Sequence, residues 1–178
     1  MPAPPRRSTL PEQKDVRPRR IGYAITTTLL TAFIGLTLLD GVTELALIGV
    51  DSATTTVQGP DFELAVTYGE VSRPALATPF DIRVRRPGGF DGPVRIAVDQ
   101  AYLRMWDENG LVPAPAEEGL VGDRVVWEFD PPSGDTLFVS YDARIEPAVQ
   151  EGRHGSVAVL DEDDAVLAEV EFTTRVMP

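Results

Sequence analysis

The chain has 178 residues, with 16 Lys and Arg against 28 Asp and Glu, one histidine, no cysteine and a formal net charge of −12. Without cysteine there is no disulfide to brace a fold and no thiolate for a metal or a nucleophile, and one histidine is too few for the usual zinc sets. From Asp51 onward the acidic excess lacks the basic patch through which nucleic acid or an anionic lipid surface is held, which argues against nucleic acid as a partner.

The charge is not spread evenly. Residues 1–20 carry Arg6, Arg7, Lys14, Arg17, Arg19 and Arg20 against Glu12 and Asp15, with Pro2, Pro4, Pro5, Pro11 and Pro18 among few apolar side chains. Such a mixture cannot bury enough surface to fold, which predicts a disordered basic cytoplasmic tail over 1–20. Residues 21–39 (IGYAITTTLLTAFIGLTLL) then carry no charge. As a helix this run is about 28 Å long, close to the roughly 30 Å of a bilayer's hydrocarbon. The expectation is one transmembrane α-helix, an anchor over 21–50 with its core at 21–39, crossing the plasma membrane once. Its positive flank keeps the N-terminus cytoplasmic and puts the C-terminal region outside. A cleaved signal peptide competes with this, but its apolar core is usually shorter and ends at small residues of A-x-A type. Here residues 45–50 (LALIGV) prolong the apolar region, and no such pattern follows before Thr54.

Within the anchor, Thr27, Thr31 and Gly35 recur at intervals of four, a small-residue stripe suited to close helix packing. Asp40 and Glu44 are also four apart and share a face near the outer end. Two readings stay open for them: carboxylates at the headgroup level, or groups set against a basic residue of a partner's transmembrane helix, since unpaired charge at membrane depth is costly. The five residues together form the candidate helix–helix interface. The bilayer is the first expected partner and another membrane or envelope protein the second.

Residues 51–61 read as a polar stalk or as a first edge strand, ended by Gly59 and Pro60. From Asp51 onward ten arginines stand against twenty-four carboxylates, a net charge of −14. Over 62–178 the apolar pattern takes period two, the repeat of a half-buried strand. Phe62, Leu64, Val66 and Tyr68 alternate with polar or small residues, as do Phe80, Ile82 and Val84. Residues 86–93 (RPGGFDGP) form a turn before Val94, Ile96 and Val98, so the flanking strands are adjacent antiparallel partners or cross between sheets. Residues 102–106 (YLRMW) are a short strand or a helical turn, 107–110 (DENG) a turn and 113–122 a long loop. Strands resume at 124–130 and 136–145, and residues 155–160 and 165–176 flank the acidic 161–164 as a hairpin. Seven or eight short strands with regular turns predict an all-β, Ig-like antiparallel β-sandwich, its core built on Trp127, Phe129, Phe138, Tyr141 and Phe172.

The phrases RRPGGFDGPVRI, WEFDPPSGDTLFVSYDARIEPAVQEGR and VEFTTRVMP resemble those of a group of uncharacterised single-pass membrane proteins from high-GC Gram-positive bacteria. The similarity covers most of the chain from about Phe62. It implies an extracytoplasmic domain behind one membrane helix and carries over no catalytic residue.

Chemistry-bearing residues are few. His154 lies before a strand with no orienting partner in sequence, and Ser156 lacks the strained elbow or lysine pair of a nucleophile. Residues 161–164, and Asp107 with Glu108 and Asn109, offer oxygens to calcium but without the D-x-D-x-D-G spacing. No catalytic, cofactor-binding or metal residue is therefore assigned, and no cofactor. The expected role is a non-catalytic, membrane-tethered protein-interaction domain of the bacterial cell envelope that associates with another membrane protein. The alternative is a cell-wall carbohydrate-binding module or envelope hydrolase, for which exposed Tyr102 and Trp106 would supply the aromatic platform.

Overall fold

The computed structural model describes residues 23, 25–32, 50–59, 61–149 and 151–177. The chain divides into two units, Met1–Thr43 and Glu44–Pro178. In the first, residues 25–32 form a helix, α1. Its Ile25, Leu29 and Leu30 are all more than half exposed. Among the described residues no helix is long and apolar enough to cross a membrane.

Among its described residues the second unit is all-β apart from one short helix. Its strands are β1 (Asp51–Gln58), β2 (Glu63–Ser72), β3 (Phe80–Arg85), β4 (Val94–Asp99), β5 (Trp106–Val112), β6 (Glu117–Val121), β7 (Arg124–Phe129), β8 (Thr136–Ile145), β9 (Arg153–Leu160) and β10 (Val166–Val176), with helix α2 at Gln100–Leu103. They form one curled sheet in the order β5-β8-β3-β2-β10-β9-β4-β7-β6, with β1 added along β2. The pairings are antiparallel except for one short contact, where Arg175 and Val176 of β10 run parallel to Val71 and Ser72 of β2. The sheet is therefore mixed, where the sequence pattern predicts a purely antiparallel one.

Residues 51–58 are a strand and not a stalk, paired in register from Asp51 opposite Val71 to Gln58 opposite Glu63. Two turn predictions are corrected. Residues 107–110 lie within β5, whose register shifts between Glu108 and Gly110; a bulge absorbs the polar residues without ending the strand, and Asp107 pairs with Arg144 on β8 at 2.6 Å. The predicted loop over 113–122 contains β6, which pairs with β7 from Glu117 opposite Glu128 to Val121 opposite Arg124. Gly122 (φ 63) and Asp123 make the tight turn between them. The 102–106 ambiguity resolves both ways, with α2 ending at Leu103 and β5 starting at Trp106.

Alternation sets the core. The inner faces bring Leu64, Val66, Phe80, Ile82, Ile96, Val98, Val139, Ile145 and Val157 together at almost no exposure. Phe80 is the centre of the aromatic packing, with ring centroids 5.4 Å from Tyr102, 5.8 Å from Tyr141, and 5.9 Å from Trp106 and Phe172. Each such side chain stabilises by about 1.5–3 kcal/mol when fully buried. Trp127, Phe129, Tyr141 and Phe172 belong to this core as expected, but Phe138 does not; it is 53% exposed, because the inner positions of β8 are Leu137, Val139 and Tyr141. A second, smaller cluster lies on the outer face of β4, β7 and β9, where Ala97, Val126, Ala158 and Leu160 are buried. Arg124 pairs with Glu169 on β10, two strands beyond β4, and with Asp99, its register partner on β4, at 3.7 Å.

Candidate binding cleft

Three connections meet at the end of the sheet away from Asp51: the β1–β2 loop, the β3–β4 loop and the β9–β10 turn. Each is shaped by its own residues. In the β3–β4 loop, Arg86 accepts a hydrogen bond at its carbonyl from Gly89 N at 3.0 Å, with Pro87 and then Gly88 at φ 97 between them. Proline presets the second position of a type II turn, and glycine alone takes the positive φ of the third without cost. In the β9–β10 turn, the Asp161 carboxylate accepts from the backbone N–H groups of Asp163 at 2.9 Å and Ala165 at 2.8 Å. Asp164 adopts φ 64 there, a conformation that aspartate tolerates better than most residues.

Between these loops lies an open cleft of about 860 Å³, walled by Phe62, Phe90, Val94, Leu160 and Leu167 and edged by charged side chains. Phe62 and Phe90 pack with ring centroids 6.4 Å apart. The Arg86 guanidinium stands 5.4 Å from the centre of the Phe62 ring and pairs with Asp91 at 3.1 Å. Deeper in, Arg95 donates to the Asp161 carbonyl and to the Asp164 carboxylate, both at 2.6 Å, with Glu128 at 3.6 Å. A smaller cleft of about 370 Å³ adjoins it and shares Asp61, Phe62 and Arg86 as a wall. Behind it Arg85 pairs with Asp135 at 3.1 Å. The Asp135 carboxyl is held below the usual range, first by the Thr136 hydroxyl that donates to it and then by Arg85.

No protein-family model matches this chain, and no curated protein matches it either. Loops carried on a sheet are where recognition residues commonly sit, which makes this cleft the candidate site.

The residues singled out in sequence fall elsewhere. Thr27 and Thr31 lie on α1, both exposed, whereas Gly35, Asp40 and Glu44 are outside the described residues. His154 is within β9, not before it, and is exposed; its Nδ1 is 3.2 Å from Thr173 Oγ1 and its Nε2 3.9 Å from Glu171. Ser156 is buried. Tyr102 and Trp106, the expected aromatic platform, are 0% and 7% exposed and belong to the core. The Tyr102 hydroxyl lies 3.0 Å from Thr174 Oγ1, and burial pushes its ionisation upward against that bond. Tyr141 donates to Glu108 at 3.2 Å and is pushed up by burial and by that carboxylate. Among the described residues no group of three or more His, Cys, Asp or Glu is placed to hold a metal ion. The cleft itself is not legible in the sequence, although the turn chemistry of its β3–β4 loop is visible in RPGGFDGP.

Proposed function

We propose that the chain is a membrane-tethered, extracytoplasmic protein-interaction module of the bacterial cell envelope, an Ig-like β-sandwich behind one membrane helix, which associates non-catalytically with another membrane protein. The observation that carries this reading is the order of the chain: a basic leader, nineteen uncharged residues, then a β-rich stretch from Asp51 onward of net charge −14. Such a flank difference orients a single span with its acidic part outside. The exposed Ile25, Leu29 and Leu30 on α1 support it, since a helix with bare apolar sides is suited to lipid or to a second helix. The cleft supports the binding part of the reading, because it lies at the far end of the strands from Asp51, where a tethered domain can present it.

The test is affinity purification of the full chain from membranes in mild detergent, followed by mass spectrometry. A stoichiometric membrane protein is expected. Gly35→Leu, which blocks close approach along the Thr27, Thr31 and Gly35 stripe, should reduce its recovery if the anchor contributes to the contact. Recovery of the protein alone, with tight retention on purified cell wall, would overturn this reading in favour of a carbohydrate-binding module.

A further inference from the structure

Resting on the reading that the β unit binds a protein, we infer that the cleft takes a basic, extended segment of the partner and that Arg86 occupies the seat of the ligand's own cation. Six carboxylates edge the cleft, from Asp61, Asp91, Glu128, Asp161, Glu162 and Asp163, against two arginines. Both arginines are already committed, Arg86 to Asp91 and Arg95 to Asp164. The side chains of Asp61, Glu162 and Asp163 take no ion pair or hydrogen bond among the described residues. An anionic ligand meets this surface at a cost, whereas a cationic one meets carboxylates that lack a counter-charge.

Charge sign alone would admit any cation, but the wall of the cleft narrows the choice. Phe62 and Phe90 offer an aromatic surface, and Arg86 displays on Phe62 the contact a guanidinium makes there: its charge faces the ring at 5.4 Å while a carboxylate holds its edge at 3.1 Å. The Arg86 side chain is about one-third exposed and the Asp91 side chain 89% exposed, so this pair yields readily to a competitor. The second cleft lies on the other side of the Phe62–Arg86 wall. Room on both sides of the seat suits a chain that places successive side chains in each, and suits a single compact molecule poorly.

The test uses the full-length protein in a nonionic detergent and two fluorescent pentapeptides, Arg-Leu-Arg-Leu-Arg and Glu-Leu-Glu-Leu-Glu, read by anisotropy. The arginine peptide should bind and the glutamate peptide should not, and added salt should weaken the arginine peptide's binding. Glu162→Gln combined with Asp163→Asn should weaken binding about fivefold, the sum of two exposed charge contacts. Phe62→Leu should weaken it about threefold or more by removing the ring, and Arg86→Ala should strengthen it by vacating the seat. Should Phe62→Leu lower the melting temperature, the Glu162 and Asp163 pair on the exposed turn decides alone. Equal binding of both peptides, no binding at millimolar concentration, or indifference to the Glu162 and Asp163 changes would overturn the inference. Failure here with a stoichiometric partner still recovered from membranes would sink the ligand assignment and spare the module; loss of the partner would sink the module itself.

Discussion

Trp127 and Phe138 are both aromatic residues of strands with a period-two pattern, yet one is 2% exposed and the other 53%. Trp127 shares its face with Phe129, whereas Phe138 falls on the opposite parity from Leu137, Val139, Tyr141, Ala143 and Ile145. Trp127→Ala should therefore cost about 3–5 kcal/mol, and Phe138→Ala no more than about 0.5 kcal/mol, by denaturant unfolding. Similar losses at both positions would contradict the assignment of faces. The first residues of β8, Thr-Leu-Phe-Val, are apolar on both parities, so the largest side chain is a poor guide. The far half of the strand decides, where Asp142 and Arg144 alternate with Tyr141, Ala143 and Ile145. Gly155 shows a constraint of another kind. A Cβ there would lie 2.6 Å from the Tyr102 ring, so the strand passes close under Tyr102 only because this residue has no side chain.

Among the elements, the strands with one clean apolar face are legible in the sequence, and so is β1 as one of two readings, whereas the edge strands β5 and β6 are not. β9 and β10 form the hairpin that the sequence predicts, with Val170 opposite Val157 and Phe172 opposite Gly155. β6 is not legible because its residues, Glu-Glu-Gly-Leu-Val, are almost wholly exposed and carry no alternation; the Gly122-Asp123 pair, a two-residue hairpin turn, is the signal the sequence offers for it. The outer face of β4, β7 and β9 shows why strands can bury both sides without a second layer there. Alanines at 97 and 158 are short enough for Arg124 to lie across them toward Glu169, its aliphatic stem covering apolar surface while its head stays partly in water. Arg124→Ala should lower stability by about 1 kcal/mol or more, and Arg124→Met by less, because methionine keeps the cover and loses only a partly buried ion pair. Equal losses in thermal melts would mean that the charge, and not the cover, matters.

At the scale of the molecule, the cleft joins residues near positions 61, 90 and 162, and no local pattern announces that meeting. It follows from the crossovers: β3 lies between β2 and β8, while β4, the next strand in the chain, lies between β9 and β7. Period-two alternation gives the strands and their faces but leaves neighbours undetermined, since burial on one face is satisfied by many sheet orders. The same closed interior sets the response to alkali. Tyr102 and Tyr141 have phenols pushed up by burial, so above pH about 10 the unfolded chain ionises them while the folded chain does not. Stability should be fully retained below that pH and then fall, by up to about 1.4 kcal/mol per pH unit for each of the two. Tyr102→Phe should remove its share of that slope. An unchanged slope in denaturant titrations between pH 10 and 11 would show that this phenol ionises in place.

β1 runs antiparallel along β2 from Asp51 to Gln58, with Thr54 and Thr67 joined through their hydroxyls at 2.8 Å. The cleft sits beyond the Gln58 end and the preceding chain attaches at the Asp51 end. A pull between Asp51 and the cleft's β3–β4 and β9–β10 loops would load the β1–β2 hydrogen bonds lengthwise, in shear, together with the covalent link through the β1–β2 loop. In the tethered arrangement proposed above, this pairing would carry the tension between the anchor and a ligand held at the far tip.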